Sequence, residues 1–270
     1  KFATESTKKA LSWRYIFIFI AIRVMTPSLI LLAAGSLKSA FLPLLARFQQ
    51  LSGIQVEAQF GPAGLLRERI EGGERCSLFA CANTEHPQAL LQAGLAIKCC
   101  SFAANRLMLT VRRTPDTDRA DWLALLHDSR LRLATSTPGC DPSGDYTWQL
   151  FARLEASYPG LGRTLMARAQ QLVGGRASLT VPSGATAGAW LIGEDFADLF
   201  IGYAHYAVQM TESAQFRTLL IPEPWNIRCE YQLAEIEESA AARQLRRFIA
   251  AEEGQNFLRA AGFLAGNDGS

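Results

Sequence analysis

The chain has little of what marks chemically specialised proteins. Six cysteines are scattered through 270 residues, no pair of them forms a CxxC, and only three histidines accompany them. That spacing gives no disulfide scaffold and no metal-ligand constellation. Cys76 and Cys81 flank the apolar run Ser77–Ala80 and read as buried small hydrophobes, while adjacent Cys99 and Cys100 would strain to pair with each other. The net charge is only +2, with 19% charged residues. No basic tract and no interleaving of arginine with aromatics marks a nucleic-acid surface. Internal repeats are absent, and the one loose polar stretch is the tail Gly266–Ser270. Ser36, Ser143 and Ser183 have no obvious His or Asp partners, and His86, His127 and His205 are dispersed, so no catalytic constellation is expected.

Long hydrophobic runs are missing as well. Lys8, Lys9 and Arg14 precede Tyr15–Ile22, a short apolar block closed by Arg23, which is too short to span a bilayer of about 30 Å. A basic segment followed by an apolar one has the form of an export signal. Two readings stand: residues 1–28 are a signal cut near Met25, or they precede the domain and Met25 is its natural start. Cleavage at Ala34-Gly35, where LLAAG resembles a processing site, would remove the first strand of the domain.

What is present is a 49% hydrophobic chain, long enough for one large core or two modest ones. It carries four junctions in which a strand meets a helix through small residues. The first is Leu29–Ala33, then Ala34-Gly35-Ser36, then a helix to about Gln50 with Leu37, Phe41, Leu44, Leu45 and Phe48 on one face. Ser36 is expected to cap that helix, Gly35 to let the backbone approach a ligand, and Pro43 to kink it. The second follows the clean alternation Ile54–Phe60, a strand with one buried face; it turns at Gly61–Gly64 into helix Leu65–Glu71. Cys76–Ala82 is a third strand and Pro87–Gly94 a third helix. The βαβαβα order predicts a parallel sheet with right-handed crossovers.

Leu107–Val111 is the expected first crossing into a second lobe. There Trp122–His127 reads as a helix and Leu131–Thr135 as a strand. The nine-residue loop Ser136–Gly144 leads to helix Asp145–Ala156, the third junction. Helix Leu161–Leu172 and the segment Ser178–Val181 precede the fourth, Pro182–Thr186, which opens helix Ala187–Ile192. Asp198–Tyr203 is expected to return to the first lobe through a helix-like link, Ala204–Met210. Phe216–Ile221 and Ile227–Leu233 read as first-lobe strands, and Ser239–Ala261 as one closing helix. Each junction presents unpaired N–H groups and the positive end of a helix dipole, which suits an anion.

Six segments in this order resemble one family: AAGSL at Ala33–Leu37, FGPAGLLRERIEGG at Phe60–Gly73, LFACAN at Leu78–Asn83, DPSGDY at Asp141–Tyr146, IGYAHYA at Ile201–Ala207 and GQNFLRAAGF at Gly254–Phe263. They are similar to the molybdate-binding proteins of ABC-type uptake systems, which are class II periplasmic binding proteins, over Leu29 to about Leu264. The resemblance implies an α/β fold of two Rossmann-like lobes joined by two crossing strands, with a ligand cleft between. Lobe 1 would comprise residues 29–105 and 208–270, and lobe 2 residues 106–207. It implies a monomeric, extracytoplasmic binding protein without cofactor or enzymatic activity, carrying molybdate or tungstate to an ABC transporter permease. A cytoplasmic sensor domain of the same fold, starting at Met25, is the alternative.

Matched residue by residue, the family's ligand shell falls on Ser36, on the Gly61–Gly64 turn with Gly61, Ala63 and Gly64, on Ser143, on Thr186 with Ser183 competing for the same place, and on Tyr203. Two positions depart from the pattern. Ala63 stands where a serine is usual, removing a hydroxyl, and Ser77 stands where an acidic residue precedes the Leu-Phe of the third strand, a change expected to touch the hinge or the cleft floor. No loop has Arg or Lys at its tip; Lys38 and Arg67 lie one turn into their helices. A shell of donors alone would reject a protonated oxyanion, whose O–H would find no acceptor.

Overall fold

The computed structural model describes residues 28–210 and 213–266. The expected export signal lies outside them, save for Ser28. In chain order the first lobe opens with β1 (Ser28–Ala34), α1 (Lys38–Ser52), β2 (Gln55–Gly61), α2 (Ala63–Glu71), β3 (Leu78–Cys81), α3 (Glu85–Gln92) and β4 (Lys98–Asn105). The second holds β5 (Leu107–Arg112), α4 (Trp122–His127), β6 (Leu133–Ser136), α5 (Pro142–Ser157), α6 (Leu161–Arg168), β7 (Gln170–Val173), α7 (Ala187–Gly193), β8 (Leu199–Tyr203) and β9 (Phe216–Leu220). The chain then returns through β10 (Cys229–Glu235), α8 (Ala240–Ala250), α9 (Glu252–Ala260) and β11 (Leu264–Ala265). This is the two-lobed α/β architecture of the class II periplasmic binding proteins.

The first sheet has the order β11-β4-β10-β3-β1-β2, and the second β7-β6-β8-β5-β9. β1 pairs in parallel with β2 and β3, as the βαβαβα order requires. The sheet is nevertheless mixed, because β10 runs antiparallel to both β3 and β4. β1 is buried from Leu31 to Ala34, whereas β2 forms the edge and alternates between exposed and half-buried residues. α1 lays Ala40, Phe41, Leu44, Leu45 and Phe48 on the sheet and runs on through Pro43. It ends at Gly53, whose positive φ of 71° lets its N–H reach Gln49 O at 2.9 Å.

Five expectations need correction. β4 was not foreseen; it supplies the crossing, joined to β5 by Arg106 alone. Phe216–Leu220 is a strand of the second sheet, antiparallel to β5, so the second lobe extends past residue 207 and the return crossing is Pro222–Arg228. β8 likewise stays in the second sheet, and the first lobe is met only at its last residue, Tyr203, and by the short 3-10 turn after it (Ala204–Gln209). Helix α6 stops at Arg168 and yields to β7, with no strand at Ser178–Val181. The closing helix is two helices, broken at Ala251, whose ψ of 160° is extended. The break lets α9 pack tightly: a Cβ on Gly254 would lie 2.1 Å from Phe248 O.

Both crossings are tied by one buried side chain. The Asn226 amide accepts from Leu107 N at 2.9 Å and Ile227 N at 2.8 Å, and donates to Leu107 O at 2.8 Å and Ile221 O at 2.9 Å. One asparagine thereby satisfies backbone groups of both crossing segments, which would otherwise be left unpaired as the chain leaves a sheet.

One core runs from the first sheet to the face of the second that is covered by α5, including Leu31, Phe41, Phe79, Leu109, Phe151 and Tyr231. The opposite face of the second sheet has a thin core of its own, Ala134, Val173, Leu191, Ala197 and Phe200.

Candidate functional site

The four expected junctions converge on a cleft of about 540 Å³ between the lobes. The first lobe lines it with Gly35, Ser36, Phe60, Gly61 and Pro62; the second does so with Ser136, Asp141, Ser143, Ser183, Phe200 and Tyr203. The lobes already meet beside it. Gly64 N–H donates to Cys140 O at 2.9 Å, and Tyr146 Oη donates to Glu230 O at 3.1 Å. Arg176 also bridges to Glu68 across the gap.

Ser36 lies in a 3-10 turn, Gly35–Leu37, that bridges β1 and α1, and its hydroxyl caps neither helix. The expected N-cap is instead a buried side chain with its Oγ 3.0 Å from Tyr231 Oη. Burial holds the Tyr231 phenol well above its ordinary pKa, so it stays a neutral partner. Gly35 is exposed to the cleft, and a Cβ there would meet only Gly61 O at 3.9 Å. The protein leaves that space open.

At the second junction α2 starts at Ala63, two residues earlier than its apolar pattern suggests, with Pro62 as N-cap. Ala63 is fully buried. Gly64 is not a free donor: its N–H is taken by Cys140, and a Cβ at Gly64 would stand 2.4 Å from Gly139 O. Glycine is required there because two backbones cross. Its place is in the clamp between the lobes.

At the third junction α5 begins with Pro142 and places Ser143 in its first turn, buried and facing the cleft. Ser143 N–H donates to Asp141 Oδ1 at 3.1 Å. Asp141 is therefore the cap, with Pro at the first helical position. Its carboxyl also takes a hydrogen bond from the Ser136 side chain, and burial raises its pKa to about 6. An acidic group thus lines the cleft, which corrects the expectation of donors alone. The sequence signal was present in Asp141-Pro142, the usual cap-and-proline start of a helix.

The fourth junction is built differently. α7 has seven residues and its N-cap, Thr186, makes no capping bond. The Thr186 hydroxyl is buried and turned to Met210 Sδ at 3.2 Å, and Thr186 does not line the cleft. Ser183 does line it, from an exposed segment.

Tyr203 ends β8 with 3% of its surface exposed, its ring 5.8 Å from that of Tyr231. Its hydroxyl is buried, lies at the cleft and has no hydrogen-bond partner. An unpaired buried hydroxyl costs about 1–3 kcal/mol. Burial keeps its pKa far above the ordinary value, so it remains a neutral donor. Tyr206, lining the same wall, is raised by burial as well.

His205 packs at the hinge. It is buried between Tyr206 and Phe263, with Nδ1 2.7 Å from Asn105 Nδ2, and burial lowers its pKa to about 3. Ser77 is far from the cleft, at the start of β3. It donates to Glu237 Oε2 at 2.9 Å and accepts from Ile30 N at 3.3 Å, so a carboxylate from another segment stands beside it. The expected effect on hinge or cleft floor has no structural basis. Among the described residues no group of three or more His, Cys, Asp or Glu is placed to hold a metal ion. All six cysteines are free thiols, and burial pushes Cys76 up to about 12.

Comparison with known proteins places this geometry. The sequence model of the bacterial extracellular solute-binding proteins matches residues 29–264. An uncharacterized protein of Pasteurella multocida (strain Pm70) is 41% identical over 238 residues, covering 88% of this chain and 98% of that protein. Among solved structures, the periplasmic molybdate-binding protein of Azotobacter vinelandii is similar with a TM-score of 0.70 at 19% identity, covering 87% of this chain and 98% of that one. The sulfate-binding protein SubI of Mycobacterium tuberculosis H37Rv gives 0.71 at 17% identity, covering 89% and 88%. Peb3 of Campylobacter jejuni, solved with L-phospholactate bound, gives 0.67 at 11% identity, covering 87% and 99%. At these identities the likeness is one of fold.

Proposed function

We propose, from the premise that this chain belongs to the bacterial extracellular solute-binding protein family, that it captures a tetrahedral oxyanion and delivers it to an ABC transporter permease outside the cytoplasmic membrane. The observation that carries this reading is the Tyr203 hydroxyl, buried at the cleft and without a partner. A ligand acceptor there would remove the penalty of leaving it unpaired. Ser36 and Ser143 supply further hydroxyls, and at the Gly61–Ala63 turn Ala63, the first residue of α2, supplies an amide that no helical carbonyl can reach. Gly64 closes the lobes around the anion through Cys140. Ser183 is the donor at the fourth junction, and Thr186 shapes the wall behind it.

Molybdate and tungstate are the first ligands to test, by analogy with the Azotobacter protein of the same fold. Thermal unfolding should be followed with molybdate, tungstate, sulfate and phosphate. A ligand bound only by the folded chain raises stability by RT ln(1 + [L]/Kd), roughly 4 kcal/mol at a thousandfold excess. If no anion moves the transition, the reading fails.

A second reading concerns the ligand's size. A cleft of 540 Å³ walled by Phe60, Leu65, Leu179 and Val181 falls within the range of small-molecule sites, about 300–1,000 Å³. That favours an oxyanion with an organic substituent, such as a phosphorylated acid. Adding phospholactate to the same panel tests it; a larger shift than phosphate gives decides for the substituent.

A further inference from the structure

The cleft contains an acceptor. Asp141 lines it in company with Ser36, Ser143 and Tyr203. A carboxylate offers about four acceptor positions. Two hydrogen bonds from the protein reach it, from Ser143 N–H and from the Ser136 hydroxyl. Among the described residues it forms no ion pair. A dianion entering this cleft would set its oxygens against a second negative charge at short range. Such an arrangement holds together only with a proton between the two groups.

We infer that the cleft binds its oxyanion together with one proton, shared between the ligand and the Asp141 carboxyl. This rests on the oxyanion reading and deepens it: Asp141 discriminates by whether the anion brings a proton. Inorganic phosphate keeps at least one O–H around neutral pH and donates it to Asp141, whereas a phosphate monoester, whose second pKa is about 6, carries one only as its monoanion, below that pH. Sulfate and molybdate arrive bare, and Asp141 must take a proton from solution before it can face them.

The surroundings favour proton uptake and do not neutralise the charge. On its own helix Asp145 faces it and raises its proton affinity. From the other elements the titratable neighbours are Tyr203 at the end of β8, Tyr206 in the turn after it, and Cys81 of β3; burial keeps each of these protonated, and the charge of Asp141 reinforces this. The cations lining the cleft are Lys38, exposed at the start of α1, and Arg176, already bridged to Glu68. The unpartnered Tyr203 hydroxyl, buried at the same cleft, independently marks a place where a ligand oxygen belongs.

The test is titration calorimetry on the folded chain, with sulfate, molybdate and inorganic phosphate as probes, from pH 6.5 to 8.5. Pairs of buffers that differ in ionisation enthalpy report the number of protons taken up. Sulfate or molybdate should bind with uptake of one proton, and its Kd should rise about tenfold per pH unit above the titration of Asp141. Phosphate should bind above pH 7 with no net uptake and a flat profile. In Asp141→Asn the slope should vanish, and the ratio of phosphate to sulfate affinity should fall at least tenfold. Asparagine is as good a helix cap as aspartate, so the variant keeps its fold, which circular dichroism checks; the proton count on the unmodified chain needs no variant. Binding of the bare anions without proton uptake, or identical pH profiles in both proteins, overturns the inference and leaves the oxyanion reading standing. Binding of none of the three probes by either protein overturns both.

Discussion

The turn Gly35–Leu37 and the segment Pro182–Ala187 are both small-residue approaches to a helix at the cleft, yet they hold their hydroxyls differently. Ser36 is buried, and its Oγ is fixed by Tyr231, a fully buried ring from β10 with Phe102 and Phe263 behind it. Ser183 is exposed, and the Thr186 hydroxyl turns away to the thioether of Met210, a weak acceptor. The first turn rests on the continuous core, the second on the thin cluster around Leu191 and Phe200. A hydroxyl becomes a fixed donor where a second element packs behind it, and an adaptable one where nothing does. The first wall is preorganised for a ligand and the second is free to adjust to it.

The largest change tests the clamp on which that contrast depends. Gly64→Ala drives a Cβ to within 2.4 Å of a backbone oxygen that has no room to yield. It should lower stability by about 3 kcal/mol, the upper range for overpacking, read as a drop in the urea midpoint. A wild-type midpoint would show that the lobes separate there without penalty. Ser36→Ala comes next. Loss of a hydrogen bond to a charged ligand is worth about 1.5–3 kcal/mol, so oxyanion affinity should fall roughly 10- to 100-fold in calorimetry. The melting temperature without ligand should fall too, because the buried Tyr231 hydroxyl loses its partner at a cost of about 1–3 kcal/mol.

Asp141→Asn acts on stability through pH. The folded pKa, about 6, lies above the ordinary value of 3.8. The folded chain therefore binds this proton more tightly than the unfolded chain does, and stability falls as pH rises from about 4 to about 6. Above pH 6 the penalty is fully present, and below pH 4 it is absent. The variant should be more stable by roughly 3 kcal/mol at pH 8 and no more stable at pH 4; equal gains at both pH values would refute the assignment. The smallest effects belong to the fourth junction. Thr186→Val and Ser183→Ala should each change stability by less than about 0.5 kcal/mol, and Thr186→Val should leave affinity within threefold. An effect of Thr186→Val as large as that of Ser36→Ala would erase the distinction between the walls.

Much of the first lobe was legible. The alternation of Ile54–Phe60, the buried run Leu29–Ala34 and the apolar face of α1 each follow from a local pattern that burial of one face enforces. The lining of the candidate site was legible where junction residues also line the cleft, as Gly61 and Ser143 do. It was not where the decisive partner is remote. Tyr231 lies 195 residues from Ser36, and no spacing rule connects them. β4 was missed because Lys98-Cys99-Cys100-Ser101 neither alternates nor forms an apolar run. The break at Ala251 has no proline, and its local sign is the acidic first turn Glu252-Glu253.

By itself the sequence determined the α/β class and the position of the junctions, because periodicity, glycine placement and helix starts are local properties of the chain, while the family and its two-lobed architecture were implied by the resemblance of six short segments. Tertiary structure alone decided which sheet receives Phe216–Leu220, since pairing and not composition assigns a strand. It also withdrew the Gly64 amide into the clamp, turned Thr186 from the cleft, and set the Asp141 carboxyl among the donors. Those outcomes depend on what packs behind each residue and which backbone crosses it, and both come from elements far away in the chain.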